Sequence, residues 1–490
     1  MQFRVVIRSV GMFLMVFSLT MLPPVLISLI YGENAEIPFV AAFFLTLITG
    51  LICWYPLRKH HRDLRLRDGF VVVVVFWVVL GACGSLPFIL SPQAHMSITD
   101  AVFESMSGWT TTGATVIENL SVLPKAVLWY RQQLQWLGGM GIIVLAVAIM
   151  PMLGIGGMQL FRAETPGPMK DSKLTPRITE TAKALWYIYL GLTAACAVAY
   201  VLAGMPLFDA VAHSFSTVAI GGFSTHDLSL GHYNSAAIEL VASFFMLIAG
   251  FNFALHFLAL RQRNIQPYRF DTELRAYLVV LGSVSAVSVF YLYSKQIYPE
   301  FSQALVHGIF QAISVGTTSG FTTVDRSGRE SIMVAWPAFI LALLIISSFI
   351  GGCANSTGGG MKVIRVLLLY RQGMREIMRL IHPSAVIPIK IGDKPLPDPI
   401  VNAIWGFFSL YVVTYSFTSL ALLATGLNLV TAFSAVAACL NNLGPGLDAV
   451  ASNYAGINDT AKWILCFAML AGRLEIFTLV VFFSPAFWRR

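Results

Sequence analysis

Long runs with almost no charge recur along the whole chain, and each is near the length a helix needs to cross a bilayer. Gly69–Leu90, Leu185–Ala203, Leu240–Leu260, Ala335–Ile350 and Ile400–Leu423 are examples, against the ~20 apolar residues that span a hydrocarbon layer. Ten such stretches are spanning candidates. Lipid offers the backbone no hydrogen-bond partner, so each is predicted to be a helix. The expected fold class is therefore an all-α, polytopic membrane protein. Val10–Ile30 has the look of a signal sequence, but its length, Pro23-Pro24 and an immediate second span predict a retained helix.

After two leading helices one pattern recurs four times: apolar span, half-length apolar segment, Gly/Thr/Ser-rich loop, apolar span. The loops are Thr110-Thr111-Thr112-Gly113-Ala114-Thr115, Ala219-Ile220-Gly221-Gly222-Phe223-Ser224-Thr225, Thr317-Thr318-Ser319-Gly320-Phe321-Thr322-Thr323, and Asn441-Asn442-Leu443-Gly444-Pro445-Gly446. Aligned on Gly113, Gly222, Gly320 and Gly444, they lie 109, 98 and 124 residues apart. Thirteen residues before these glycines stand Asp100, Asp209, His307 and Thr431. Asp100, Asp209 and Thr431 suit helix N-caps. A half-helix of 10–12 residues is ~15–18 Å long, about half the hydrocarbon thickness. The predicted units are 1–68 (leading helices), 69–160, 161–262 and 263–380 (repeats one to three), and 381–490 (a cytoplasmic linker with repeat four).

Four half-helices that dip and return as loops around an axis make a pore. A cation must exchange its water shell for oxygen ligands, and rings of backbone carbonyls supply them. Glycine reaches positive φ without steric cost, which predicts one at the corresponding place in each loop. The carbonyl donors are then Thr111 and Thr112, Ile220 and Gly221, Thr318 and Ser319, and Asn442 and Leu443. Close helix packing also favours Gly, Ser and Thr, and for any single loop that reading stands beside the first.

Charge sets the orientation. Of 32 basic residues, 25 cluster in Arg4/Arg8, Arg58–Arg67, Arg162–Lys183, Arg261–Arg275, Lys362–Lys394 and Arg489/Arg490, on one side of the membrane if the spans alternate. This bias places both termini in the cytoplasm, and it explains the net charge of +8 without nucleic acid. The six cysteines sit singly in apolar stretches and read as core residues. The histidines, His60-His61, His95 and His226 among them, show no ligand spacing.

Two features suggest a gate. In repeat three, the second span runs into a stretch holding Gly351, Gly352, Asn355, Ser356, Thr357, Gly358, Gly359 and Gly360, then Lys362. Each glycine costs a helix ~1 kcal/mol relative to alanine, so this span, unlike its counterparts, is predicted to break and leave a loop facing the cavity. A packing kink is the alternative; a phosphate-binding loop fails, because no strand precedes the stretch and no Ser or Thr follows Lys362. Arg473 stands in the middle of the last span, where a charge needs partners or water. It is placed in the pore below the filter, with a structural ion pair as the rival reading.

The four loops, Gly351–Lys362 and Ala471-Gly472-Arg473-Leu474-Glu475 together resemble the Trk/Ktr/HKT superfamily of potassium transporters, over the whole chain. The two leading helices point to its TrkH branch. The resemblance implies potassium uptake at the cell inner membrane, with K⁺ as the transported ion at the filter residues and a mobile barrier beneath them. It also implies a homodimer seated on a cytoplasmic TrkA-like ring that binds nucleotides, leaving no organic cofactor on this chain. In that family a serine at the first filter glycine accompanies sodium permeation; Gly113 therefore favours potassium. The fourth loop departs most from the others. A cation crossing an inside-negative potential gains ~2.3 kcal/mol per 100 mV, so electrophoretic uptake needs no hydrolysis. Symport with H⁺ or Na⁺ is the alternative. An enzyme is not indicated, since no nucleophile, base and ligand set converges.

Overall fold

The computed structural model describes residues 2–59, 66–144, 178–325, 328, 330–392 and 394–489. His60-His61 and most of the basic segment 162–183 lie outside them. Among the described residues, six helices are long and apolar enough to span a bilayer, and two bent helix pairs bring the number to eight. The leading pair is Phe3–Tyr31 and Glu36–Leu57, turned at Gly32, whose φ of 65° suits the left-handed helix end. Their crossing is close because it rests on glycine: a Cβ on Gly11 would lie 2.8 Å from the Gly50 carbonyl oxygen.

Behind them come four helix–half-helix–helix units. The first is Asp68–Leu90, Ile98–Trp109 and Lys125–Val144. The second is Ile178–Leu202, Leu207–Ala219 and the pair Ala236–Ala249 with Phe253–Gln262. Thr272–Ser294, Phe301–Gly316 and Ala338–Ser348 form the third, continued after a loop by Val363–Ile381. Asp398–Ala424, Leu429–Leu440 and the pair Asp459–Arg473 with Phe477–Phe483 form the fourth. A small hairpin, Lys390–Ile391 with Lys394–Pro395, connects the last two units.

Three expectations change. Repeat three is not alone in breaking: Leu240–Leu260 bends by 89° around Gly250–Asn252, and the last span turns by 116° after Arg473. Arg473 therefore closes a helix instead of sitting inside one. The N-caps are Ser97, Pro206 and Asn428, not Asp100, Asp209 and Thr431. Asp100 is the third residue of its helix; its N–H donates to Ser97 Oγ at 3.1 Å, and the Ser97 hydroxyl returns a bond to its carboxylate at 2.8 Å. Thr431 likewise donates its N–H to Asn428 Oδ1 at 2.8 Å. The third half-helix begins at Phe301 and has 16 residues, which puts His307 within it and not at its start.

Candidate functional site: a ring of four loops above a broken helix

Each half-helix ends the same way. The N–H groups of Thr112, Gly221, Ser319 and Leu443 donate to the carbonyls five residues back, Ser107, Ser216, Ser314 and Ala438, at 2.7–2.8 Å. This is the helix-ending bond that requires a left-handed residue just before the donor. Thr111, Ile220, Thr318 and Asn442 hold that place, with φ of 52°, 54°, 68° and 54°. For threonine and isoleucine this conformation is costly, ~1–3 kcal/mol each. Gly113, Gly222, Gly320 and Gly444 are left-handed again, at 83°, 76°, 83° and 98°. The residue between each pair is not.

The four loops close into a ring. A Cβ on Gly113 would strike the carbonyl oxygen of Gly221, one on Gly222 that of Ser319, and one on Gly320 that of Leu443. On Gly444 it would lie 2.7 Å from the Thr112 oxygen, which returns the circuit to the first loop. Asn442 Nδ2 donates to Thr112 Oγ1 at 3.0 Å across the same seam. The twelve residues expected at the filter are thus brought to one place. Above them opens a cavity of about 420 Å³, lined by all four ring glycines and by Glu118, Asp227 and Glu330.

Side chains from the second helix of repeat one brace this ring. Arg131 is buried; its Nε lies 2.7 Å from Glu104 Oε1, its Nη1 donates to the Ser224 carbonyl at 2.9 Å, and its Nη2 to Thr115 Oγ1 at 3.1 Å. Glu104 in turn accepts the Val116 N–H at 3.0 Å. Loops one and two are therefore riveted by a single ion pair. Gln135 reaches loop two directly, donating to Gly221 O at 2.5 Å and accepting from Phe223 N at 3.0 Å. The sequence reading missed these residues. The signal was an Arg131–Gln135 polar run inside a segment otherwise long enough to span.

Beneath the ring lies the loop of repeat three. Phe349 ends the upper helix and Lys362 starts the lower one. Gly351, Asn355, Gly360 and Lys362 all have positive φ, at 72°, 55°, 72° and 76°. The loop is held to the C-terminal ends of three half-helices. Thr357 Oγ1 donates to Val218 O at 3.0 Å, Gly359 N to Thr318 Oγ1 at 2.6 Å, and Gly360 N to Asn441 O at 3.1 Å. Ser356 Oγ caps Cys353 O at 2.6 Å, against Gly352, and Lys362 Nζ donates to Gly358 O. Arg473 meets this loop from repeat four, with Nη1 donating to Thr357 O at 3.0 Å. Its neighbour Glu475 pairs with Arg365 at 2.6 Å, so the ion pair next to Arg473 belongs to a different arginine.

Half-helices that deliver carbonyl-rich loops to a common ring, within an all-α polytopic membrane protein, define a class: transport proteins for small cations. Comparison with known proteins gives the same class. The chain belongs to the TrkH family of cation transport proteins, whose pattern residues 36–490 match; these are transporters, not enzymes. The Trk system potassium uptake protein TrkH of Vibrio parahaemolyticus is 56% identical over 100% of both chains. That of Escherichia coli is 52% identical over 100% of each, and E. coli TrkG is 42% identical over 99%. The crystal structure of the potassium transporter TrkH from V. parahaemolyticus superposes with a TM-score of 0.91 at 53% identity, covering 100% of both chains.

Proposed function

We propose that this chain carries potassium into the cell down the membrane potential, through a gated pore whose filter is the four-loop ring. Thr111–Gly113, Ile220–Gly222, Thr318–Gly320 and Asn442–Gly444 supply the carbonyl ligands, and the loop Gly351–Lys362 with Arg473 forms the gate. The observation that carries this reading is the closed circuit of glycine-to-carbonyl contacts, 113 to 221, 222 to 319, 320 to 443 and 444 to 112. Such contacts leave no room for a side chain at the four ring glycines and bring backbone oxygens together where a cation needs ligands. Three of the exposed acids at the mouth, Glu118, Asp227 and Glu330, raise the local cation concentration. The basic segments face the cytoplasm. A homodimer on a nucleotide-binding ring completes the assembly; the helix Val363–Ile381 leaves Tyr370, Ile377 and Leu380 exposed, which suits a covered surface. The test is K⁺ and Na⁺ flux into proteoliposomes for the unaltered chain and for Gly113→Ser. Selective K⁺ entry that gives way to Na⁺ entry in the variant is expected. Identical, non-selective leakage in both refutes the filter, and reversal potentials that follow a second ion gradient refute simple electrophoretic entry.

A further inference from the structure

The four loops agree closely in backbone but differ at the residue just before the ring glycine. Thr112, Ser319 and Leu443 carry side chains there; loop two has Gly221. The structure gives the reason. A Cβ on Gly221 would lie 2.5 Å from both Cδ and Oε1 of Gln135, so the glutamine carboxamide occupies the space that a loop-two side chain would fill. Gln135 is fully buried and its orientation follows from its partners. Gly221 O needs a donor and receives Nε2 at 2.5 Å; Phe223 N–H needs an acceptor and finds Oε1 at 3.0 Å. Both bonds bracket Gly222, the glycine that touches Ser319 O of loop three.

The clamp also singles out one ligand. Among the described residues, the carbonyls of Thr112, Ser319 and Leu443 accept no hydrogen bond, whereas Gly221 O accepts one from Gln135. A carbonyl that already accepts a short amide bond has less negative potential left for an ion, so the ring is electrostatically unequal.

Resting on the reading of the ring as a potassium filter, we propose that Gln135 is a specificity-determining positioning residue: it replaces the missing loop-two side chain, fixes Gly221–Phe223, and weakens one of the four ring oxygens. Removing the donor strengthens the Gly221 oxygen and frees its backbone. Both changes favour the smaller, more strongly hydrated cation, because the ring then contracts around it at lower cost. Loss of a role in packing alone would change amount and stability of protein but leave the ratio of ions untouched.

The experiment compares K⁺ and Na⁺ permeability of the full chain in proteoliposomes for Gln135→Met, Gly221→Ser and Gln135→Ala/Gly221→Ser. Methionine keeps the length of glutamine without the donor. The K⁺/Na⁺ ratio of Gln135→Met is expected to fall roughly three- to tenfold, the scale of one buried hydrogen bond. Gly221→Ser alone strikes the carboxamide and should lose most flux; adding Gln135→Ala opens the space, so the double variant should recover flux beyond the single. An unchanged K⁺/Na⁺ ratio in Gln135→Met, or a double variant no better than Gly221→Ser, overturns the role of Gln135 while selective flux through the unaltered chain keeps the filter intact. Should Gln135→Met fail to fold, the comparison of Gly221→Ser with the double variant decides alone. Lack of selectivity in the unaltered chain overturns both readings together.

Discussion

Replacing Arg473 by methionine should raise ion flux. Arg473 is 4% exposed, and among the described residues its guanidinium makes one hydrogen bond, from Nη1 to Thr357 O at 3.0 Å. Among the described residues, Nε and Nη2 have no partner, and Cζ lies 5.9 Å from the Trp77 ring centroid. Hydrogen bonds to charged groups contribute ~1.5–3 kcal/mol. If the bond to Thr357 exists only while the loop sits beneath the ring, losing it shifts the open-to-closed ratio about 10- to 100-fold. A second term has the same sign. On the proposed reading the positive charge itself opposes a cation passing the loop; two unit charges ~7 Å apart at an effective dielectric near 20 repel by ~2–3 kcal/mol. Initial rates of K⁺ uptake at fixed potential, normalised to inserted protein, measure the sum; the gain levels off once most pores are open. Arg473→Lys keeps the charge and should give a smaller rise. A correctly folded Arg473→Met protein with unaltered flux would show that the arginine only satisfies the Thr357 carbonyl and that the barrier lies elsewhere.

Gly222→Ala and Gly204→Ala both place a side chain at positive φ, but only at Gly222 does the new carbon meet backbone, the Ser319 oxygen. Gly204→Ala should cost ~1–2 kcal/mol in a melting assay and keep uptake, whereas Gly222→Ala should abolish selective uptake. Arg131→Met strands the Glu104 carboxylate in a buried site and should destabilise by ~3–5 kcal/mol. The Arg131→Met/Glu104→Leu pair should regain much of that stability in the same melting assay, yet remain less selective, since the tie to Ser224 O is gone. At the mouth, His232 stacks on His226 with ring centroids 3.7 Å apart, and burial, then the neighbouring His226, holds its pKa below 6.5. The unfolded chain then binds the proton more readily, so this contribution to stability is present above pH 6.5 and is lost as pH falls below it. Melting temperatures followed from about pH 7 to about pH 5 should fall less steeply in His232→Gln.

What the sequence made legible follows from how each feature is enforced. The ring glycines stand out because two constraints coincide there, positive φ and a carbonyl in the place of a side chain, and only glycine meets both. The second left-handed position is invisible by the same logic: Thr111, Ile220 and Thr318 are poor choices for it, held there by the bond from the next N–H to the helix end. Cap positions were off by three residues because Ser97 and Asn428 do the capping while Asp100 and Thr431 supply the N–H groups they cap. The break after Arg473 escaped for another reason. Leu474–Ile476 contains no glycine, and Glu475 and Ile476 take φ of 55° and 50° in a turn whose visible anchor is Arg365, 110 residues earlier. Gln135 acts on a loop 86 residues away; spacing within a repeat carries no trace of such a tie.

Under the gating role proposed for Gly351–Lys362, the contacts of this loop explain why a single arginine can tune it. Thr357 and Gly360 occupy the carbonyls of Val218 and Asn441, and Gly359 the hydroxyl of Thr318, at the negative ends of half-helices two, three and four. Those are the groups that would otherwise attract a cation leaving the ring. Opening must release them, but water or the ion then takes the place of each protein donor, and a hydrogen bond exchanged in this way is worth only ~0.5–1.5 kcal/mol net. Three such exchanges amount to a few kcal/mol, before the strain relieved at Asn355 and Lys362 is subtracted. A closed state held by so small a margin lies within reach of one charged hydrogen bond from Arg473, and of any partner that pulls on the helix Val363–Ile381, whose first turn begins directly at the loop. On this reading the low cost of opening is a consequence of building the barrier from backbone donors that water can replace, in place of a packed apolar plug that it cannot.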